Sequence, residues 1–103
     1  MKRRSADIEE GNDAVAALAE AMLRLRTAAQ MRAFLEDLCT PAELEAMTDR
    51  WKVVPLLLDG VPYREIHDRT GVSVTTIGRV ARTLDRGAGG YATAIKRRAA
   101  RAV

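Results

Sequence analysis

The side chains best suited to chemistry in this sequence are short hydroxyls followed by arginines, within one stretch of the second half of the chain. Ser73 can begin a helix there, because its hydroxyl can accept a hydrogen bond from the amide of Thr76. The residues left facing outward are Thr75, Thr76, Gly78, Arg79, Arg82 and Thr83. Threonine and arginine side chains reach base edges and phosphates in the major groove of DNA. An ordinary solvated face would more often carry Glu and Lys, so the pattern favours DNA contact.

These residues belong to the second of two predicted helices that a very short turn joins. The first helix spans Tyr63 to Thr70, and Gly71 suits the left-handed conformation just past its end. The second helix has an apolar stripe at helical spacing, which we expect to be buried: Val74, Ile77, Val80, Ala81 and Leu84. The pair predicts a helix-turn-helix over residues 62–85.

Catalytic and metal-binding chemistry find little support in the sequence. Cys39 is the sole cysteine and His67 the sole histidine. One chain therefore cannot form a disulfide or a multi-Cys/His metal site, and no nucleophile has a base beside it. We predict no enzymatic activity, no metal and no cofactor, with Cys39 as an inert core thiol.

The net charge of +3 is the sum of two halves of the chain whose net charges have opposite signs. Residues 1–60 carry 8 Lys or Arg against 11 Asp or Glu, whereas residues 61–103 carry 9 against 3. The positive half contains the predicted helix-turn-helix, as a nucleic-acid surface requires. An ordinary basic tail is the alternative explanation, because four of the nine cations are Lys96, Arg97, Arg98 and Arg101.

The chain length of 103 residues, 48% of them hydrophobic, suits one small domain. Residues 1–11 are polar and lack periodicity, so we assign them to a disordered basic arm and residues 12–103 to a single helical domain. The start of the chain lacks the apolar core of a signal peptide, and no apolar run approaches the length of a bilayer span. We expect a cytoplasmic protein without membrane contact.

Three helices are predicted ahead of the helix-turn-helix. Asn12 can cap the first, which should run to about Arg26. Thr27 can cap the second, with Gln30 as its capping-box partner. The third begins with Thr40-Pro41-Ala42-Glu43, which combines a threonine cap, proline at the first helical position and glutamate at the third.

The third predicted helix is apolar on more than one face. Leu44, Met47, Trp51, Val54 and Leu58 form a regular stripe, and Val53, Leu56 and Leu57 lie on other faces. A small monomer has little protein to cover such a helix, so we predict that a second subunit covers it. Trp51 is expected in the core or in the dimer interface, with a place in the wall of a small-ligand pocket beside Lys52 as the minor alternative. Pro55 removes the helical hydrogen bond to the carbonyl of Trp51 and should kink the helix there.

The end of the chain continues the helical pattern. Three glycines in residues 87–90 indicate a loop, after which Tyr91, Ala94 and Ile95 indicate a final short helix. Strand-like alternation is absent from the whole sequence, so the predicted fold class is all-α.

Four segments together resemble the tryptophan-repressor-like proteins, and within them the small bacterial YerC/YecD-type branch. They are FLEDLCTPAELEAMTDRW at 34–51, LLLDG at 56–60, YREIHDRTGVSVTTIGRV at 63–80 and GAGGY at 87–91. The resemblance implies a six-helix fold and an intertwined homodimer. In that arrangement the first three helices of each chain wrap the partner, and the fourth and fifth form the DNA-reading pair.

Matching the family's motif implies DNA-facing positions at Arg64 and at residues 74–76, and His67 stands where a lysine can contact the DNA backbone. Together with the outward face described above, the predicted DNA-binding residues are Arg64, His67, Ser73, Val74, Thr75, Thr76, Arg79 and Arg82. For Arg64 and Arg82 an ion pair is the alternative role, since acidic residues such as Asp85 are near them in the sequence.

The resemblance also implies a ligand slot, which in the tryptophan repressor is formed by two arginines and a serine around a glycine. The matching positions here are Lys52, Arg79, Thr83 and Val80, and only Arg79 keeps the family's residue type. Lysine lacks the planar fork of arginine, and the side chain of Val80 would enter the space that the glycine leaves open. We therefore expect no tryptophan binding, while another small-molecule effector is an open question.

The residues and the resemblance together predict a sequence-specific, homodimeric DNA-binding transcriptional regulator, acting as a repressor on a palindromic operator in double-stranded DNA. The alternative is a protein-interaction module whose helix pair docks a protein partner. Salt discriminates between them, because affinity for DNA falls steeply as salt rises whereas an apolar protein contact barely responds.

Overall fold

The computed structural model describes residues 5–95, with side chains from residue 13 onward. Its first five helices are α1 (Ser5–Leu23), α2 (Ala28–Leu38), α3 (Pro41–Leu58), α4 (Tyr63–Thr70) and α5 (Val74–Arg86). A sixth helix, α6, begins at residue 90 and reaches the end of the described part at residue 95. Residues 5–95 contain no strand, which confirms the all-α prediction. None of the described helices is both long enough and apolar enough to span a bilayer.

The chain divides into two compact units, residues 1–40 and residues 41–103. The first unit contains α1 and α2, and the second contains α3, the predicted helix-turn-helix and α6. The assignment of residues 12–103 to a single domain stays a prediction. The basic residues 96–101 lie outside the described part of the second unit.

α1 begins earlier than predicted. Residues 5–11, which the sequence assigned to a disordered arm, belong to this helix, so Asn12 is an interior residue and not the cap. The segment contains one alanine and two glutamates, which favour helix, and its three acidic residues lie near the helix N-terminus, where they interact favourably with the helix dipole. These preferences outweigh the cost of about 1 kcal/mol that a glycine such as Gly11 imposes on a helix. Residues 1–4 of the predicted arm lie outside the described residues.

α1 also ends before the predicted limit at Arg26. The amide of Arg24 donates to the carbonyl of Ala21 at 3.1 Å, a hydrogen bond three residues back that tightens the last turn. The helix therefore stops at Leu23.

α2 begins with the predicted threonine cap, and the side chain of Gln30 bonds the residue before Thr27, one position earlier than in a capping box. The hydroxyl of Thr27 accepts from the amide of Gln30 at 3.0 Å, and the side chain of Gln30 accepts from the amide of Arg26 at 2.7 Å. At the other end, Cys39 is the C-cap residue, and its amide donates to the carbonyl of Leu35 at 2.9 Å. The thiol is half-buried, so the prediction of a core position for Cys39 is only partly met.

α3 begins at Pro41, as the sequence predicts. Pro55 lies inside the helix, which is continuous to Leu58. Because proline has no N–H, the carbonyl of Trp51 has no helical donor; the kink at this point stays a prediction. Gly60 follows the helix with a φ of 78°, and its amide donates to the carbonyl of Leu57 at 3.0 Å.

The second unit has a small, apolar core among its described residues. The buried side chains are Val53 and Val54 of α3, Ile66 of α4, Val72 of the turn, and Ile77 and Val80 of α5. The predicted buried stripe of α5 is therefore confirmed at Ile77 and Val80. It is wrong at Val74, which is 51% exposed at the first position of α5.

α3 keeps apolar side chains on its surface. Met47, Trp51 and Leu58 are 38%, 39% and 53% exposed within the single chain. Trp51 packs beside Tyr91, with ring centroids 6.3 Å apart. A core position for Trp51 is therefore wrong, and its place in a dimer interface stays a prediction.

Candidate nucleic-acid interface

Only residues 71–73 separate α4 from α5. Gly71 has a φ of 77°, and its amide donates to the carbonyl of His67 at 2.8 Å, which ends α4. This is the left-handed position that the sequence predicts, and a side chain there would be strained. Val72 is buried in the core and fixes the turn to the rest of the unit.

Ser73 caps α5, as predicted. Its hydroxyl accepts from the amide of Thr76 at 3.1 Å and donates to the hydroxyl oxygen of Thr76 at 3.0 Å. Thr76 is half-buried, whereas Thr75 is exposed. The predicted pair of reading residues is thus unequal, because the hydroxyl of Thr76 already has a partner and that of Thr75 has none among the described residues.

His67 holds the turn against α4. Its Nδ1 lies 2.8 Å from the carbonyl oxygen of Val72, so this ring nitrogen donates the hydrogen bond. Thr70 supports the same turn, since its hydroxyl donates to the carbonyl of Ile66 at 2.7 Å and accepts from the amide of Val72 at 3.1 Å. The sequence did not reveal this positioning role of His67. For the turn itself the sequence does carry a signal, which is the threonine directly before the helix-ending glycine, because such hydroxyls often stabilise turns.

Three exposed arginines of the helix pair make no ion pair with any described residue: Arg64, Arg79 and Arg82. Two acidic residues that lie near these arginines in the sequence form ion pairs with other arginines. Glu65 pairs with Arg69 one turn later on α4, and Asp85 lies 3.6 Å from Arg86. The alternative in which Arg82 pairs with Asp85 is therefore wrong, and Arg64 likewise has no acidic partner within the described residues.

A cleft of about 730 Å³ lies between the outer face of α4 and the start of α5. It is lined by Tyr63, Arg64, His67, Asp68 and Val74. The structure thus brings together three of the predicted DNA-binding residues at one place. Tyr63 and Asp68 were not predicted, although helical spacing puts them on the same face of α4 as Arg64 and His67.

The structure describes the surroundings of three of the four positions that match the tryptophan slot. Lys52 lies 3.5 Å from Asp49 on its own helix, and Val80 is only 1% exposed because its side chain is part of the core. Thr83 lines a different cavity of about 310 Å³, formed with Leu84 and residues 88–92. The lining of that cavity contains no charged side chain to hold an amino acid's carboxylate. The absence of tryptophan binding stays a prediction.

Two short helices joined by a tight turn, with a capped second helix that exposes arginines, define a helix-turn-helix protein. A model of the Trp repressor protein family matches residues 13–99. The chain belongs to this family, as the four sequence segments predicted.

Individual relatives agree with this assignment. The chain is 35% identical over 80 residues to the uncharacterized protein YerC of Bacillus subtilis (strain 168), covering 78% of this chain and 77% of YerC. The crystal structure of a TrpR-like protein from Eubacterium eligens superposes with a TM-score of 0.77 at 35% identity, covering 82% of this chain and 88% of that one. A crystal structure from Staphylococcus aureus gives the same TM-score at 32% identity, over 82% of this chain and 85% of that one. The fold is TrpR-like and the chain is of the YerC type.

Proposed function

We propose that this protein is a sequence-specific DNA-binding transcriptional regulator that represses from a palindromic operator as a homodimer. The observation that carries the proposal is the surface of α5. Its capped first turn exposes Thr75, and the following turns expose Arg79 and Arg82, which have no acidic partner in the described part of the chain. Membership of the Trp repressor family supports the same class of function.

In the proposal, the first turn of α5 contacts bases and its later turns contact phosphates. Val74 and Thr75 stand at the N-terminal end of α5, where the methyl groups of valine suit the thymine methyl and a hydroxyl suits base edges. Arg79 and Arg82 follow along α5, and Arg64 adds a third cation from α4. Contacts between arginine and phosphate carry no sequence information but fix the protein's register on DNA. The N-terminal end of α5 therefore supplies the specificity.

Replacing both Thr75 and Thr76 with alanine should weaken binding to the cognate duplex by about 1–3 kcal/mol for each base that the hydroxyls no longer reach. Binding to random-sequence DNA should change little, because the arginines that bind phosphate are left intact. The cognate duplex is obtained by selection from a random DNA pool, in which an enriched palindrome with half-sites about 34 Å apart is expected. Both affinities are then measured by titration for the wild type and the double variant.

Thr48→Ala is the matched control, since Thr48 lies on α3 with its hydroxyl donating to the carbonyl of Glu45 at 3.0 Å. It should leave both affinities unchanged. An equal decrease in affinity for cognate and random DNA in the double variant would show that Thr75 and Thr76 do not read bases. A pool that yields no enriched sequence would contradict sequence-specific binding and favour the protein-docking alternative.

The homodimer part of the proposal depends on apolar side chains of α3 that are partly exposed in the single chain, such as Trp51 and Leu58. A two-fold axis would also pair two α5 helices with the two halves of a palindrome. Sedimentation at micromolar concentration should give twice the 11.3 kDa mass of one chain.

The matched variants for assembly are Leu58→Glu and Val74→Glu, because these side chains are similarly exposed, at 53% and 51%. A buried, unpaired carboxylate at residue 58 should raise the dimer dissociation constant on the order of 100-fold. The same change at residue 74, on the DNA-reading surface, should leave the mass unchanged. A wild-type mass of one chain would rule out the dimer.

A further inference from the structure

Gly78 occupies the middle of α5, where its backbone conformation gives no reason for glycine. α5 spans Val74–Arg86 without interruption, and glycine is the poorest helix former apart from proline. The described glycines with positive φ are Gly60, Gly71 and Gly89, so Gly78 is not among them. Any L-residue could adopt its conformation.

Packing within the chain gives no reason for glycine either. A methyl group at residue 78 would lie 3.7 Å from Nη1 of Arg82 and 4.0 Å from Cε2 of Tyr63, which are ordinary van der Waals distances. Gly87 differs from Gly78 in this respect, because a methyl group at residue 87 would lie 2.5 Å from the carbonyl oxygen of Thr83 and would clash with it. The fold thus explains Gly87 but leaves Gly78 without an internal cause.

The surroundings of Gly78 indicate what approaches it. Arg82 lies one turn later on the same face of α5, and its guanidinium group has no acidic partner among the described residues. Tyr63 comes from α4 and is 42% exposed. Thr75 lies one turn earlier on this face. Gly78 itself is half-buried. Its backbone is therefore partly accessible, beside a cation and a phenol ring on the DNA-reading surface.

We propose that Gly78 is free of a side chain so that a DNA phosphate can approach the backbone of α5, bound by Arg82 and flanked by Tyr63. Glycine permits the close approach of a ligand to the backbone, and a guanidinium group binds phosphate through two parallel hydrogen bonds. The inference rests on the proposed function, to which it adds Gly78 and Tyr63 as residues that form a phosphate seat. Such a seat serves any DNA sequence, because phosphates carry no base information.

Gly78→Ala separates stability from binding. The variant should melt roughly 4 to 8 °C higher, because alanine favours the helix and fits without a clash. It should also bind a random-sequence duplex roughly five- to tenfold more weakly, because the methyl group displaces one phosphate per chain. The slope of the salt dependence should fall by about one unit for each chain bound. Gly90→Ala in α6 is the control, since a methyl group there meets no atom within 4 Å; its affinity for DNA should equal that of the wild type.

Three outcomes of these measurements would contradict the phosphate seat. A stabilised Gly78→Ala protein with unchanged affinity and salt slope would overturn the phosphate seat, and a lowered Tm would show that the fold itself requires glycine. In the Gly78→Ala background, Arg82→Ala should weaken binding little further, since both changes remove the same phosphate interaction. If the losses of DNA affinity in the two single variants added fully in the double variant, Arg82 and Gly78 would act on different phosphates, which would also overturn the seat. A wild-type protein that binds no DNA at low salt would instead overturn the proposed function.

Discussion

Replacement of Ile77 by alanine is expected to lower the free energy of unfolding by about 2–5 kcal/mol. Ile77 is fully buried and, with Val80, joins α5 to the core of the second unit. Truncation removes favourable apolar burial and leaves a cavity, in a core that has only a few buried side chains among the described residues. Urea denaturation at a fixed protomer concentration measures the change, because assembly and folding are thermodynamically linked.

Val74→Ala on the same helix is the control for this experiment. Val74 is 51% exposed, so its truncation should change stability by no more than about 0.5 kcal/mol. Ile77→Ala should also weaken DNA binding, since a loosened α5 no longer presents its surface in one orientation. Equal stability of the two variants would contradict the buried position of Ile77.

Removal of Arg64, Arg79 and Arg82 together should lower affinity for random-sequence DNA on the order of a thousandfold at physiological salt if the protein binds as a homodimer. Each phosphate neutralised contributes about 0.9 to the slope of log affinity against log salt, so the slope should fall by nearly three units for each chain bound. The reason is that none of these arginines has an acidic partner among the described residues to compete with phosphate. Fluorescence anisotropy over a range of salt concentrations gives both quantities.

Arg32→Ala tests whether position or net charge matters. Arg32 lies on α2 and pairs with Glu36 at 2.9 Å. Its replacement by alanine removes one positive charge from the chain, as the replacement of Arg82 does. The slope should fall by about one unit for each Arg82→Ala chain and should stay unchanged for Arg32→Ala. Identical slopes for these two single variants would mean that general charge, and not the α5 surface, attracts the DNA.

Helix boundaries set by local chemistry were predictable from the sequence. Thr27 caps α2, Pro41 begins α3, Gly71 ends α4 and Ser73 caps α5, each as expected. The hydrogen bonds that decide these boundaries join residues a few positions apart, so the nearby residue types suffice to identify them. The start of α1 was wrong because the polar composition of residues 5–11 suggested disorder more strongly than their helix-forming residues suggested a helix.

Properties that depend on how helices pack were less predictable. Helical spacing places Val74 on the same stripe as Ile77, but spacing does not show where the neighbouring helices stop covering α5. Similarly, Arg82 and Arg86 both stand near Asp85 in the sequence, and only the side-chain positions show that Arg86 takes it. The cleft that joins Tyr63 to the start of α5 depends on the angle between two helices, which residue spacing does not encode.

The position of Trp51 gives this protein an optical property. It is the sole tryptophan in the chain, and it stands half-exposed on α3 beside Tyr91. Indole emission responds to solvent contact, and a tyrosine at this distance transfers excitation energy to it. Covering of this face of α3 therefore changes the intrinsic fluorescence of an unlabelled protein, and one natural chromophore reports on the surface through which we propose that two chains associate.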